Sequence, residues 1–189
     1  MHVSFIDTPP NSAHPLPFIL PMIGYMGSFA YPSSSLSDPL DLYLHGYVSS
    51  RFAALSRSSP GGLQVSVAAT KLDGLVLALT PYSHSYNYRS AVLFGKAQMV
   101  EDPDEKLWAL ELMTDGAVRG RWVHSRLPPA NAEIVSTSVV RVRVEGGSAK
   151  SRVGGPVDVK KDLEREEGVG RVWTGESVLV IRWGEEVLM

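Results

Sequence analysis

The stretch YRSAVLFGKAQMVEDPDEK, residues 88–106, decides the fold class of this chain. Its residues 91–94 are apolar in succession, which predicts a strand whose first half is buried on both faces. Residues 96–100 alternate between polar and apolar, as expected for a strand with one face on a core. Asp102 and the Pro103–Glu105 segment that follows are typical of a helix N-terminus, with Asp as the N-cap and Pro at the first helical position. Gly95 in mid-strand indicates a bulge or a close approach by another group.

Strand patterns also dominate the sequence on both sides of this stretch. They cover residues 2–6, 18–26, 41–45, 63–69, 75–79, 134–145 and 178–183, and helical patterns cover 49–57, 102–114 and 158–167. The Asp73-Gly74 pair predicts a hairpin between two of these strands. Strands and helices do not alternate regularly, so the sequence predicts a mostly β fold, an antiparallel barrel with helical additions. No linker divides the chain, and we expect a single domain over residues 1–189.

Composition excludes several classes of function. The chain has 189 residues, 44% of them hydrophobic, and a net charge of −2, so it lacks the basic field that nucleic-acid binding requires. Cysteine is absent, which excludes disulfide scaffolds and thiolate chemistry. The N-terminus lacks a signal-peptide pattern, and no apolar run approaches the roughly 20 residues that span a bilayer. We therefore expect a cytoplasmic protein with no membrane or nucleic-acid partner. The five histidines show no ligand spacing, and we expect no metal site.

The segment LHGYVSSR, residues 44–51, is the first candidate binding motif. A strand ends at His45, and a helix begins a few residues later with two serines and Arg51. The N–H groups of a helix N-terminus and a nearby guanidinium together suit a phosphate. An ordinary capped helix with a surface arginine explains the same pattern equally well.

The second candidate is the crowded polar and aromatic segment HSYNYRS, residues 84–90. Asn87 could hold a turn, and the tyrosines could belong to a core. Arg89, however, stands at the start of a strand predicted to be buried, and a buried charge needs a partner.

Three segments in this order resemble the pyridoxamine-5′-phosphate-oxidase-like group of FMN-binding split barrels. They are LYLHGYVSSR (residues 42–51), DGLVLALTPYSHSYNYRSAVLFGKAQMVEDPDEK (residues 73–106) and GSAKSRVGGPVDVKKD (residues 147–162). The likeness is to the fungal flavin-nucleotide-binding branch, which is related to the nitroimidazole-resistance proteins. It implies a six-stranded antiparallel split barrel that forms a homodimer, with FMN in a cleft at the dimer interface. Because Met1 abuts the first predicted strand, we expect this chain to lack the helical segment that precedes that strand in the family.

The resemblance also implies the residues of a cofactor site. Ser50 and Arg51 match the phosphate segment, and His45 lines the same cleft. The flavin-facing strand position falls on Ser90, with Tyr88 and Arg89 beside it. The remaining two positions are Lys150, near the cofactor, and Trp173, reaching the cleft across the dimer.

The expected function is that of a flavin-dependent oxidoreductase. It would transfer hydride or electrons between a reduced donor, such as a reduced nicotinamide, and a small organic substrate. No side chain is an obvious acid or base, although His45 and His84 are candidates because imidazole is the usual acid–base group near neutral pH. The alternatives are a non-catalytic flavin or haem carrier, or a structural dimer with an empty cleft. Haem and deazaflavin, which related members bind, are the alternative cofactors.

Overall fold

The computed structural model describes residues 1–164 and 171–178. The strands are β1 His2–Asp7, β2 Leu16–Pro21, β3 Gly24–Gly27, β4 Asp41–Tyr47, β5 Leu63–Leu77, β6 Ser85–Met99, β7 Thr137–Arg152 and β8 Gly175–Val178. The helices are α1 Arg51–Ser58, α2 Pro103–Ala117, α3 Asn131–Ser136 and α4 Lys160–Leu163, with a 3-10 turn at Pro81–Ser83. No helix within these described ranges is long and apolar enough to cross a membrane.

The predicted fold class is confirmed: the protein is mostly β, with antiparallel strands and a few helices, consistent with a split barrel. Seven strands follow the order β2-β1-β5-β6-β7-β4-β3, and β8 pairs with β5. The described residues thus contain eight strands rather than the six of the family expectation. The ends of this path are β2 and β3, so the sheet is not closed.

The chain divides into two compact units. The first comprises residues 1–68 and 92–148, and the second comprises 69–91 and the described residues from 149 onward. The single domain expected over residues 1–189 stays a prediction.

The first unit has an apolar core built from its strands and α1. Its buried members are Val3, Phe5, Leu42, Leu44, Phe52, Val65, Val67, Ala97, Val140 and Val142. Phe52 of α1 is 1% exposed, and its ring centroid lies 5.3 Å from that of Phe5 on β1. A second cluster forms where α2 packs, and there the ring of Trp108 meets Tyr43 edge-on at 5.1 Å. Aromatic pairs at such separations stabilise beyond the area they bury.

The decisive stretch of the sequence folds largely as predicted. The carboxylate of Asp102 accepts hydrogen bonds from the backbone N–H groups of Asp104 and Glu105, at 2.8 and 3.1 Å, and α2 begins at Pro103. Gly95 is a close-approach position, because a Cβ there would clash with the backbone carbonyl of Arg143 on the neighbouring β7. The prediction of burial on both faces is wrong, however. Residues 91–93 are half-buried, and Phe94 is exposed.

The hairpin predicted at Asp73-Gly74 is wrong, because β5 runs through this pair without a turn. Gly74 is not among the glycines with positive φ. It is required for a different reason: a Cβ there would lie 2.8 Å from the carbonyl oxygen of Ser177 on β8. The glycine therefore admits a neighbouring strand rather than a tight turn.

Two other boundaries differ from the sequence pattern. The strand predicted over residues 18–26 is two strands, β2 and β3, with β2 ending at Pro21, a residue that lacks the N–H needed to continue a ladder. Residues 134–136 belong to α3 rather than to a strand, since the Glu133 carboxylate accepts the N–H of Ala130 at 2.7 Å and so caps that helix. In consequence, β7 begins at Thr137 and continues to Arg152.

The second unit contains parts of β5, β6 and β7, together with β8 and α4. Most of its side chains are exposed, and among its described residues only Gly74, Val76, Ala78 and Asn87 are buried. The α4 helix lies within the predicted 158–167, and β8 includes Val178, the first residue of the strand predicted over 178–183. Residues 165–167 and 179–183 of those predictions lie outside the described residues.

Candidate functional site

A basic cleft on the strands of the second unit is the principal candidate site. Its volume is about 480 Å³, within the range of small-molecule sites, and its lining residues are Ala69, Thr70, Lys71, Arg89, Ser90, Ala91, Ala149, Lys150 and Ser151. The three alanines lie on β5, β6 and β7, which neighbour one another in the sheet. Three cationic and three hydroxyl side chains complete the lining.

Charge in this cleft is positive. The Arg89 guanidinium donates two hydrogen bonds to the Asp73 carboxylate, from Nε at 2.9 Å and Nη2 at 2.8 Å. Lys71 Nζ lies 3.7 Å from the same carboxylate. The hydrogen bonds from Arg89 are the main reason that the pKa of Asp73 is lowered. The three cations Lys71, Arg89 and Lys150 and the anion Asp73 together carry 3 − 1 = +2 charges.

The structure therefore brings together three of the predicted residues, Arg89, Ser90 and Lys150. The Ser90 hydroxyl donates to the backbone carbonyl of Lys150 at 3.2 Å, which links β6 to β7. Lys71 was missed by the sequence argument. Its place in the cleft follows from strand pairing between distant segments, which no local motif shows.

Tyr88 and Trp173, the other predicted residues of this unit, do not line the cleft. Tyr88 is half-buried on β6, and Trp173 is 62% exposed just before β8. Their roles at a cofactor stay predictions.

Asn87 explains much of the polar crowding in the HSYNYRS segment. It is 1% exposed, and its amide joins two segments: Oδ1 accepts from Arg152 Nη1 at 2.8 Å, and Nδ2 donates to the Glu176 carboxylate on β8. The Nδ1 atom of His84 accepts the backbone N–H of Ala78 at 3.0 Å. The side chains of Asn87 and His84 thus have structural roles. The bond from Ala78 occupies one ring nitrogen of His84, which the sequence had indicated as a candidate acid or base.

Ser50 and Arg51 lie in the first unit, at the start of α1. Ser50 is the N-cap and accepts the N–H of Ala53 at 3.2 Å. Arg51 donates two hydrogen bonds of 2.6 Å to the carboxylate of Asp7, whose side chain is only 5% exposed. These bonds from Arg51 hold the pKa of Asp7 below its usual value. The capped-helix reading thus accounts for both residues, and their role at a phosphate stays a prediction.

His45 lies on β4 of the first unit and lines a small cavity of about 220 Å³ with Ile23, Leu110, Met113, Thr114 and Ala117. Its Nδ1 atom is 3.3 Å from the sulfur of Met113. Burial lowers the pKa of His45, which keeps the imidazole neutral. Neither Ser50 nor Arg51 lines this cavity. No group of three or more His, Asp or Glu side chains within the described ranges is placed to hold a metal ion.

Comparison with known proteins identifies the family of this split-barrel-like chain. The sequence pattern of the family described as pyridoxamine 5′-phosphate oxidase matches residues 2–151. The chain therefore belongs to the pyridoxamine 5′-phosphate oxidase family, as the sequence segments predicted. A search of the curated proteins found no match.

Solved structures agree with this assignment. The flavocytochrome Anf3 from Azotobacter vinelandii is 26% identical, with a TM-score of 0.68 over 96% of this chain and 73% of that one. An FAD- and haem-binding protein from Mycobacterium smegmatis is 24% identical, with a TM-score of 0.70 over 97% of this chain and 77% of that one. A putative 5-nitroimidazole antibiotic resistance protein from Bacteroides thetaiotaomicron is 19% identical, with a TM-score of 0.52 over 78% and 75% of the two chains.

Proposed function

We propose that this protein binds FMN in the basic cleft of the second unit and acts as a flavin-dependent oxidoreductase. The observation that carries the proposal is the lining of that cleft, with three cations and three hydroxyls around small apolar residues. Membership of the family and the likeness to a flavocytochrome support a flavin as the ligand.

The lining fits both ends of a flavin nucleotide. Three adjacent strands form the cleft, and the small alanine side chains among its lining residues leave room for a planar ring system. Lys150 and Lys71 carry ammonium groups on flexible side chains, which suit a phosphate. The Arg89 guanidinium is already oriented by its two hydrogen bonds to Asp73. Ser90 would offer its hydroxyl to the ring edge in place of its bond to the Lys150 carbonyl.

A bound flavin would supply hydride or electron transfer between a reduced donor, such as a reduced nicotinamide, and a small organic substrate. The residues of the cleft would bind and orient, since its lining residues within the described ranges include no carboxylate and no imidazole. This division of labour is common where a cofactor carries the redox chemistry.

The proposal includes a homodimer with the flavin at its interface. The exposed strand faces of the second unit would then be covered by a second copy, and Trp173, with 62% of its surface exposed, would contribute to the partner's cleft. Two-fold assembly is the commonest oligomeric state. Light scattering should give twice 20.6 kDa at micromolar concentration, and a monomer with and without FMN would contradict the dimer.

The absorption spectrum of the purified protein is the first test of function. We expect the blue absorption and fluorescence of a flavin, released on denaturation and identified by chromatography as FMN, FAD or a deazaflavin. Colourless protein that takes up none of these from solution would refute the proposal and favour a structural dimer.

Haem is the second candidate ligand, because two structural relatives are described as a flavocytochrome and an FAD- and haem-binding protein. The neutral, half-buried imidazole of His45 in the first unit would hold the haem iron. A Soret band that is lost in His45→Ala, while flavin fluorescence persists, would show that the protein binds both groups.

The position of the phosphate has its own test, because Arg51 is occupied by Asp7. If Arg51 binds the phosphate, Asp7→Asn should release the guanidinium and tighten FMN binding, whereas Arg51→Ala should weaken it. If the phosphate lies in the basic cleft, neither variant should change the FMN dissociation constant, and Lys150→Ala should raise it. Fluorescence quenching of FMN measures all three, and thermal melting shows whether each variant is folded.

A further inference from the structure

A loop that leaves α2 in the first unit has an unusual combination of charge and apolar surface. Residues 118–130, VRGRWVHSRLPPA, contain three arginines and neither aspartate nor glutamate. We call this segment the arginine loop. It carries +3 in a chain whose net charge is −2, so the remainder of the chain carries −2 − 3 = −5.

Its own hydrogen bonds give the arginine loop a defined shape. The Arg121 N–H donates to the Val118 carbonyl at 3.0 Å, which closes a turn with Gly120 at a φ of +71°. A positive φ at the third position of a turn favours glycine, because other residues are strained there. The Ser125 hydroxyl donates to the Arg121 carbonyl at 2.8 Å.

A further bond ties the arginine loop to α2. The backbone N–H of Trp122 donates to the Asp115 carboxylate at 2.6 Å, and the Trp122 side chain is half-buried. The exposed residues on either side of Trp122 are thus presented from a fixed backbone. Binding to such a surface requires little further ordering of the chain.

The side chains that the arginine loop exposes are cationic and apolar. Arg126 is paired with Glu133 at 2.6 Å, whereas Arg119 and Arg121 form no ion pair with any residue in the part of the chain that the structure describes. Three apolar residues of the same loop, Val118, Val123 and Leu127, expose 52%, 64% and 42% of their surface. Arginine is enriched at protein–protein interfaces, and a partner seated on these arginines would also cover the exposed apolar side chains.

We propose that the arginine loop is a docking surface for an acidic peptide segment of a protein partner, in which carboxylates alternate with apolar side chains. The carboxylates would pair with Arg119 and Arg121, and the apolar residues would cover Val123 and its neighbours. The −5 carried by the rest of the chain disfavours an extended anionic surface such as a membrane or a nucleic acid, because much more of the protein would face it. A peptide contacts the arginine loop alone.

The test uses a fluorescent ten-residue peptide that alternates pairs of glutamate with leucine, and fluorescence anisotropy with the full-length protein. We expect saturable binding at low salt that weakens as salt rises, because exposed charges are screened. Arg119→Glu/Arg121→Glu should weaken binding by about tenfold or more. Each charge-assisted pair that is lost contributes a substantial part of the binding free energy of a weak complex. Lys160→Glu/Lys161→Glu is the matched control, with the same change of net charge on exposed α4, and should bind as the original protein does.

Three results would overturn the proposal. The first is equal loss of binding in the arginine and lysine variants, which would show an effect of net charge alone. The second is unchanged binding in Val123→Ser, which would remove the apolar part of the surface. The third is stronger, arginine-dependent binding to vesicles with one third anionic phospholipid than to the peptide, which would assign the arginine loop to membranes. Melting temperatures confirm that each variant is folded.

Discussion

The two units of this protein are stabilised by different kinds of contact. In the first unit, strands and α1 enclose a continuous apolar cluster that includes Phe5, Phe52 and Val140. In the second, the described side chains are mostly exposed, and polar bridges such as Arg152–Asn87–Glu176 and Arg89–Asp73 join its segments. The first unit therefore has a core of its own, whereas the second offers polar groups and open surface to a ligand or a second copy.

This difference bears on function, because some polar and charged groups of a binding surface must lack full hydrogen-bond and ion-pair partners until the ligand binds. The basic cleft lies in the unit with few buried side chains, and its cations outnumber the nearby carboxylate. Regions with little apolar burial are also the ones that open most readily. The variants below test whether the two units differ in stability as their contacts indicate.

The largest expected effect is that of Phe52→Ala in the first unit. Removal of a ring that is 1% exposed leaves a cavity and should lower the free energy of unfolding by about 3–5 kcal/mol. Urea unfolding followed by tryptophan fluorescence measures the change. Phe94→Ala removes the same ring from an exposed position and should cost less than half as much; equal costs would mean that the Phe52 cluster is not the stabilising core.

Asn87→Ala should have the next largest effect, and it should act on the second unit. The substitution removes the hydrogen bonds of the buried Asn87 amide to two charged side chains, and hydrogen bonds to charged groups contribute roughly 1.5–3 kcal/mol. Hydrogen exchange should therefore accelerate in β8 and in the end of β7 while the amides of β1 and β4 keep their protection. Uniform acceleration in all strands would show that the two units unfold together.

The smallest expected effect concerns pH and His45. Burial lowers the pKa of His45 in the folded protein. As the pH falls below about 6.5, the unfolded chain therefore binds the proton more readily than the folded one, and the free energy of unfolding decreases. The decrease in unfolding free energy from pH 7.5 to 5.5 should be smaller in His45→Gln than in the original protein. Met113→Leu keeps an apolar neighbour beside the imidazole and should retain the full decrease; an unchanged pH dependence in His45→Gln would contradict the assignment.

The sequence predicted features set by local signals better than features set by contacts between distant segments. Alternation around Ala97 and the cap at Asp102 depend on local periodicity and on a helix end, which are visible within a few residues. The hairpin prediction at Asp73-Gly74 was wrong, because the glycine there allows the close approach of β8. Gly74 pairs with Val178, which lies far along the chain from it.

The candidate site shows the same limit. Arg89, Ser90 and Lys150 could be named from a family resemblance, and the strands do bring them to one cleft. Lys71 and the Asp7 partner of Arg51 could not be found, because pairing between distant strands and helices leaves no local signal. Arg51 therefore forms an ion pair with Asp7 in this structure. Its role at a phosphate stays a prediction, which FMN binding to the Arg51→Ala variant tests.

The central claim is that the cleft around Ser90 holds the flavin, and FMN titration of two variants tests it most directly. Ser90→Ala removes one neutral hydrogen bond and should weaken FMN by roughly tenfold at most, since about 1.4 kcal/mol corresponds to one decade. Ser90→Leu adds a branched side chain to the lining of the cleft and should abolish measurable binding while the melting temperature stays close to that of the original protein. A folded Ser90→Leu variant that binds FMN with unchanged affinity would show that the flavin does not occupy this cleft.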